Sequence, residues 1–209
     1  MLKIYAIPVS LYCAKLRILL RYKNLHWQEI APPGGYGSNE YKLTIPSGNL
    51  PTLIDGKLVL ADSEAIAEYL NEKHPTPPML PDDFAARAKI RELSRFHDTR
   101  LEPELRVLFP YIAADNRNPD VAAIQSEKLS SRLEQLAAIL DQYTCNELTL
   151  ADCGYPISFA WIDALTSVLD LQIDWPAAVI SYRKRIENHP AIAAELADYI
   201  PKLQARLSS

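Results

Sequence analysis

Ser10 and Cys13 stand three residues apart at the head of a helical pattern, and both are residue types that can hold or become a nucleophile. A hydroxyl together with the free backbone N–H groups of a helix N-terminus stabilises an anion placed against it, such as a bound sulfur. The spacing is that of a Cys-x-x-Cys redox pair with serine at the first position, which leaves Cys13 as a rival reactive thiol or as a buried structural one. On residue type alone, Ser10 reads more readily as a helix N-cap. Asp62 and Ser63 repeat the theme ahead of a second helical pattern, with a carboxylate, a hydroxyl and free N–H groups together; Ser63 also reads as a cap and Asp62 as a solvated loop carboxylate. Thr149 and Asp152 form a Ser/Thr-x-x-Asp capping box, whose role is in folding.

The elements that must position these residues follow from the hydrophobic period. A short apolar run at Leu2 to Ile7, helical spacing at Tyr12 to Tyr22 and alternation at His26 to Ile30 give a β-α-β start. Pro32, Pro33, Gly34, Gly35 and Gly37 mark an irregular loop. Thr52 to Ile54 and Leu58 to Leu60 flank Asp55-Gly56 as a hairpin, and Ser63 to Tyr69 resumes helical spacing behind a serine cap. Pro75, Pro77, Pro78 and Pro81 then favour an extended connector.

We therefore expect an N-terminal α/β domain over residues 1–76, a linker over 77–83 and an all-helical domain over 84–209. The expected C-terminal helices are Phe84 to Ile112, kinked or cut short by Pro103 and Pro110, then Pro119 to Tyr143, Ala151 to Val168, Ala178 to Asn188 and Ala191 to Leu207. Trp161, at helical spacing from Ile157 and Leu165, reads as core.

Bulk properties exclude several functions. The chain has 209 residues, 48% hydrophobic and 23% charged, with a formal net charge of -4, which is the profile of a globular protein without a broad basic surface for nucleic acid or anionic lipid. The three cysteines, Cys13, Cys145 and Cys153, make no disulfide scaffold, and the N-terminus lacks a signal-peptide pattern, so the expected location is the reducing cytoplasm. No apolar run approaches the ~18 residues a membrane span needs. Four scattered histidines without Cys-x-x-Cys or His-x-x-x-His spacing give no metal site.

Four segments, in order, resemble the cytosolic glutathione transferase family. They are Ser10-Leu11-Tyr12-Cys13-Ala14-Lys15-Leu16-Arg17, Gly48-Asn49-Leu50-Pro51-Thr52-Leu53, Leu60 through Leu70 with Asp62-Ser63 near its start, and Leu148-Thr149-Leu150-Ala151-Asp152-Cys153. The resemblance implies a thioredoxin-like N-terminal domain, in the order β-α-β-β-β-α with an irregular helix, and an all-α helical bundle after it. It implies glutathione as co-substrate, no metal, and a hydrophobic electrophile as second substrate. It reverses the preference at Ser10, which becomes the catalytic residue of a serine-type member like the theta and zeta classes, with Cys13, Tyr12 and Tyr5 as alternative activators. The zeta Ser-Ser-Cys run is absent.

By the same resemblance, glutathione binds through the backbone of Leu50 before a cis Pro51, through Asp62 and Ser63 at its γ-glutamyl end, and through Asn49 and Lys42 at its glycyl end. The stretch from Tyr41 departs from the family pattern at Ile45 and Asn49. Leu11, Tyr12, Arg106, Phe109 and Tyr111 are the expected lining of the electrophile pocket, with solvated or core roles open for the last three. A homodimer is expected. Glutathione-dependent isomerisation, dehalogenation and peroxide reduction share the same thiolate, and a non-catalytic transferase-like binding protein is the reading from another class.

Overall fold

Buried Leu2 and Ile4 alternate with exposed Lys3, and this period of two makes Leu2–Tyr5 a strand, β1. It is the first element of the computed structural model, which describes residues 1–142 and 147–208. The chain divides into two compact units, Met1–Met79 and Leu80–Ser209.

In the first unit β1 is followed by α1 (Leu11–Tyr22), β2 (Trp27–Ile30), the short α2 (Asn39–Thr44), the hairpin β3 (Thr52–Asp55) and β4 (Leu58–Ala61), and α3 (Ser63–Lys73). The strands lie in the order β2-β1-β3-β4, with β1 and β2 parallel and the other two pairings antiparallel. Asp55 pairs with Leu58, so the hairpin loop is Gly56-Lys57, one residue later than the expected Asp55-Gly56.

Helix α1 is buried almost along its length, and α3 buries one face through Ile66, Ala67 and Leu70 and packs on α1, β3 and β4. Two charges of α1 are buried with it and find partners. The Lys15 ammonium pairs with Glu64 at 2.7 Å, and Arg17 donates to the Pro8 carbonyl at 3.1 Å.

The proline-rich segment after α3 is strapped down. Lys23, at the C-terminal end of α1, donates from Nζ to the carbonyls of His74 and Pro77, each at 2.7 Å, and Asn71 Oδ1 accepts from the Met79 N–H at 3.1 Å. Residues 77–79 are thus held to the first unit, where composition reads as an extended spacer.

The second unit contains α4 (Phe84–Phe96), α5 (Glu102–Arg106), α6 (Pro119–Leu140), α7 (Tyr155–Leu169), α8 (Ala177–Glu187) and α9 (Pro190–Leu207). The helical pattern from Phe84 to Ile112 is interrupted, as its two prolines led us to expect. A π-helical turn at His97–Leu101 separates α4 from α5, and only a 3-10 turn, Phe109–Tyr111, follows. The cause is Pro103, whose missing N–H falls on that wide turn. The expected end of α6 at Tyr143 lies outside the described residues, as does Cys145.

The capping box is formed, ahead of a 3-10 turn at Leu150–Cys153. Asp152 accepts from the Thr149 N–H and hydroxyl at 2.7 and 2.8 Å and from the Tyr182 hydroxyl at 2.7 Å. Its complete burial pushes the carboxyl above the usual range, and these hydrogen bonds oppose that only in part. Trp161 is core, donating from its indole N–H to Tyr199 at 2.7 Å.

Candidate functional site

Tyr5, Thr52 and Ala61 lie side by side across β1, β3 and β4. This register decides where the site is, because the chain leaves β1 toward Ser10, enters β3 from Leu50-Pro51 and leaves β4 into Asp62-Ser63. The three segments therefore emerge at one end of the sheet, although Ser10 and Ser63 stand 53 residues apart in sequence.

At the first segment, Ser10 caps α1 from extended backbone (φ -69°, ψ 123°), and its Oγ accepts from the Cys13 N–H at 3.3 Å. Accepting does not consume the hydroxyl proton, so Ser10 retains a donor while it caps. Cys13 is fully buried, and burial raises its thiol above the ordinary value against the opposing effect of the Ser10 hydroxyl and the Ile7 backbone. It is a protonated core thiol. Leu11 is buried, whereas Tyr12 is half-buried with the Lys15 ammonium 6.0 Å from its ring centroid.

At the second segment, the Leu50–Pro51 peptide bond is cis. Among the described residues neither the N–H nor the C=O of Leu50 makes a hydrogen bond, although the residue is 8% exposed. A backbone donor and acceptor left open side by side are what an extended peptide uses to add to a strand edge. Asn49 has an exposed side chain and Lys42 is exposed too. The aliphatic stem of Lys42 lies over Gly48, where a β-carbon would come within 3.1 Å of its Cε. Gly48 has φ +66°, a backbone conformation that favours glycine. The Lys42 ammonium has no partner among the described residues.

At the third segment the cap is Asp62 and not Ser63. Asp62 sits at φ 79°, ψ 120°, a conformation that costs an ordinary residue ~1–3 kcal/mol and that occurs at functional positions. That conformation turns Oδ1 toward the N–H groups of Glu64 and Ala65, at 2.9 and 3.1 Å. Ser63 becomes the first helical residue, 8% exposed, with a hydroxyl that makes no hydrogen bond among the described residues. Its neighbour Glu64 is the partner of Lys15, so the head of α3 is tied to α1.

The remaining candidates belong to the second unit. Arg106 is engaged by Glu102 and lies 5.4 Å from the centroid of the Phe109 ring. Phe109 stacks on Trp161 with centroids 4.5 Å apart, and Tyr111 is half-buried.

Two features are absent from the sequence reading. Tyr41 is fully buried, and its hydroxyl contacts Asn49 and Thr52 on either side of Leu50-Pro51; its place in a short polar stretch gave no signal for that. In the second unit His97 links Asp98 at 2.7 Å and Ser158 at 2.8 Å, the partner order of a nucleophilic triad. Ser158 is wholly buried, so no substrate reaches it, and the chain instead knits the π-helical turn to α7. Gly154 makes room for it, since a β-carbon there would come 2.5 Å from His97 Cε1.

Residues 4–78 match the family described as "Glutathione S-transferase, N-terminal domain". A "Stringent starvation protein A homolog" of Pasteurella multocida is 28% identical over 95% of this chain and 92% of its own length. "Glutathione S-transferase Z2" of Arabidopsis thaliana is 33% identical over 53% of this chain and 52% of its own. In fold the chain is similar to a bacterial zeta-class maleyl pyruvate isomerase in its holo form, with a TM-score of 0.76 at 22% identity over 92% of this chain and 95% of that one.

Proposed function

We propose, for a chain that belongs to the glutathione transferase family, that it binds glutathione in its first unit and activates the thiol for attack on a hydrophobic electrophile. The observation that carries this reading is the open backbone of Leu50, set at the same end of the sheet as the unpartnered Ser63 hydroxyl and the head of α1. In this arrangement Leu50 pairs with the cysteinyl residue of the tripeptide. Ser63 and the free N–H groups of α3 hold the γ-glutamyl carboxylate, Asp62 Oδ2 accepts from the glutamyl ammonium, and Lys42 with Asn49 serves the glycyl carboxylate.

The sulfur then lies against Ser10. A free thiol has a pKa near 8.5, and lowering it by about two units requires ~2.7 kcal/mol of preferential stabilisation of the thiolate. One charge-assisted hydrogen bond from the Ser10 hydroxyl, with the positive end of α1, is of that size. The thiol proton goes to solvent, the thiolate forms a bond to the electrophilic carbon, and the displaced group leaves with its electron pair. Leu11, Tyr12, Arg106, Phe109 and Tyr111 are proposed for the electrophile's side. The assembly proposed is a homodimer, and the location proposed is the cytoplasm; among the described residues no helix is long and apolar enough to cross a membrane.

The relative from Pasteurella multocida, named for starvation and not for a transfer reaction, favours a second reading as a transferase-like binding protein. Calorimetric titration with glutathione separates the two. Binding in the micromolar to millimolar range is expected, and no heat at millimolar glutathione would favour the binding protein.

A further inference from the structure

The hydroxyl of Tyr41 stands between two partners, 2.9 Å from the carbonyl oxygen of Asn49 and 2.6 Å from Oγ1 of Thr52. A carbonyl only accepts, so Tyr41 donates to Asn49, and its own oxygen receives the Thr52 proton. The result is a directed chain from Thr52 through Tyr41 to Asn49 that grips the backbone on both sides of Leu50-Pro51. Burial pushes the phenol above its ordinary value, so it remains a donor across the neutral range.

The two ends of this chain differ. Thr52 is fully buried in β3, paired with Tyr5 and Ala61, and is fixed by the sheet. Asn49 is in a loop, where its N–H donates only to the Ser47 hydroxyl oxygen at 3.2 Å and the preceding Gly48 N–H donates to the Ile45 carbonyl. The bond from Tyr41 is what refers that loop to the sheet. The ring, packed edge-on to Tyr5 with centroids 5.4 Å apart, would fill the same space as phenylalanine. Core packing therefore accounts for an aromatic ring at this position and leaves the hydroxyl unexplained.

We infer that Tyr41 is a positioning residue for glutathione: its hydroxyl fixes the carbonyl of Asn49, and with it the direction of the adjoining Leu50 peptide groups that receive the tripeptide. This rests on the reading of the chain as glutathione-binding. It predicts a residue that controls affinity without touching the sulfur.

The test is Tyr41→Phe, with affinity and kinetics measured on the full chain. Loss of one buried hydrogen bond should raise the Kd and KM for glutathione about tenfold. Turnover at saturating glutathione should stay within about twofold, and the pKa of the bound thiol should not move, because Ser10 is untouched. Thr52→Val, which removes only the donor into Tyr41, should raise Kd about threefold, and the double variant should be no worse than Tyr41→Phe, since the two groups act in one chain. A purely structural role would instead lower the melting temperature and the active fraction with KM unchanged, and that result overturns the inference. If Tyr41→Phe does not fold, Thr52→Val decides, and unchanged affinity there overturns it. A parent protein that binds glutathione beside a Tyr41→Phe protein that binds it equally well defeats this inference alone, whereas a parent that binds no glutathione defeats the functional reading with it.

Discussion

Lys15 reaches from α1 to Glu64 in the first turn of α3, with Nζ 2.7 Å from Oε2 and only 3% and 13% of the two side chains exposed. The pair joins the helix that carries Ser10 to the helix that carries Ser63. Removing Glu64 takes the carboxylate from an ammonium that is almost wholly buried. We expect Glu64→Gln to lower stability by ~3–5 kcal/mol, as for other broken buried pairs, and Lys15→Met with Glu64→Leu to lose much less. Chemical denaturation of the three proteins checks this. A Glu64→Gln protein as stable as the parent would show that the pair is solvated.

Cys13 is the next prediction. Its thiol is raised by burial, so at neutral pH it carries less thiolate than a free cysteine and should resist alkylation in the folded protein. Peptide mapping after brief iodoacetamide treatment should find Cys13 unmodified until denaturant is added. Rapid native labelling at Cys13 would return it to the list of nucleophiles.

Much of the fold was legible because its signals are local. The short apolar run from Leu2 to Ile7, the helical spacing of Ser63 to Tyr69, and the Thr149-Asp152 box each depend on residues within a turn or two of one another. What escaped depends on conformation or on distant partners. The cap of α3 moved from Ser63 to Asp62 because Asp62 adopts a positive φ that its residue type does not announce. Lys23 was an ordinary lysine until the fold set it against carbonyls 51 and 54 residues away. The openness of Leu50 is a property of its peptide groups, to which the leucine side chain gives no clue.

Asp55 supplies a pH dependence. The Lys73 ammonium beside it, with a hydrogen bond from the Tyr69 hydroxyl, holds its carboxyl below the usual carboxylate range although burial acts the other way. A folded-state pKa below the unfolded one contributes stability that is present above the unfolded value, near pH 4, and is lost as pH falls through the folded value. The parent should therefore lose stability below about pH 4 faster than Asp55→Asn. The difference should be small, since Lys73 is well exposed and solvent screens the pair. Melting temperatures of both proteins between pH 6 and pH 2.5 test it, and identical acid limbs would dismiss the contribution.

Ser10 has two roles to separate, because the same oxygen that caps α1 is proposed to donate to the glutathione sulfur. Ser10→Ala removes both. It should cost ~0.5–2 kcal/mol of stability as a lost cap, raise the pKa of the bound thiol by roughly one to two units and lower turnover at neutral pH at least tenfold. Ser10→Asp divides the roles, since aspartate caps a helix as well as serine does but sets a negative charge against the thiolate. Its melting temperature should match the parent, while its thiol pKa should rise further than in Ser10→Ala and its turnover should fall further. The measurements are the ultraviolet titration of the bound thiolate and the pH profile of conjugation to a chromogenic aryl halide. If Ser10→Asp is as active as the parent, the hydroxyl is only a cap, and the thiolate must be held by the helix N-terminus or by Tyr12.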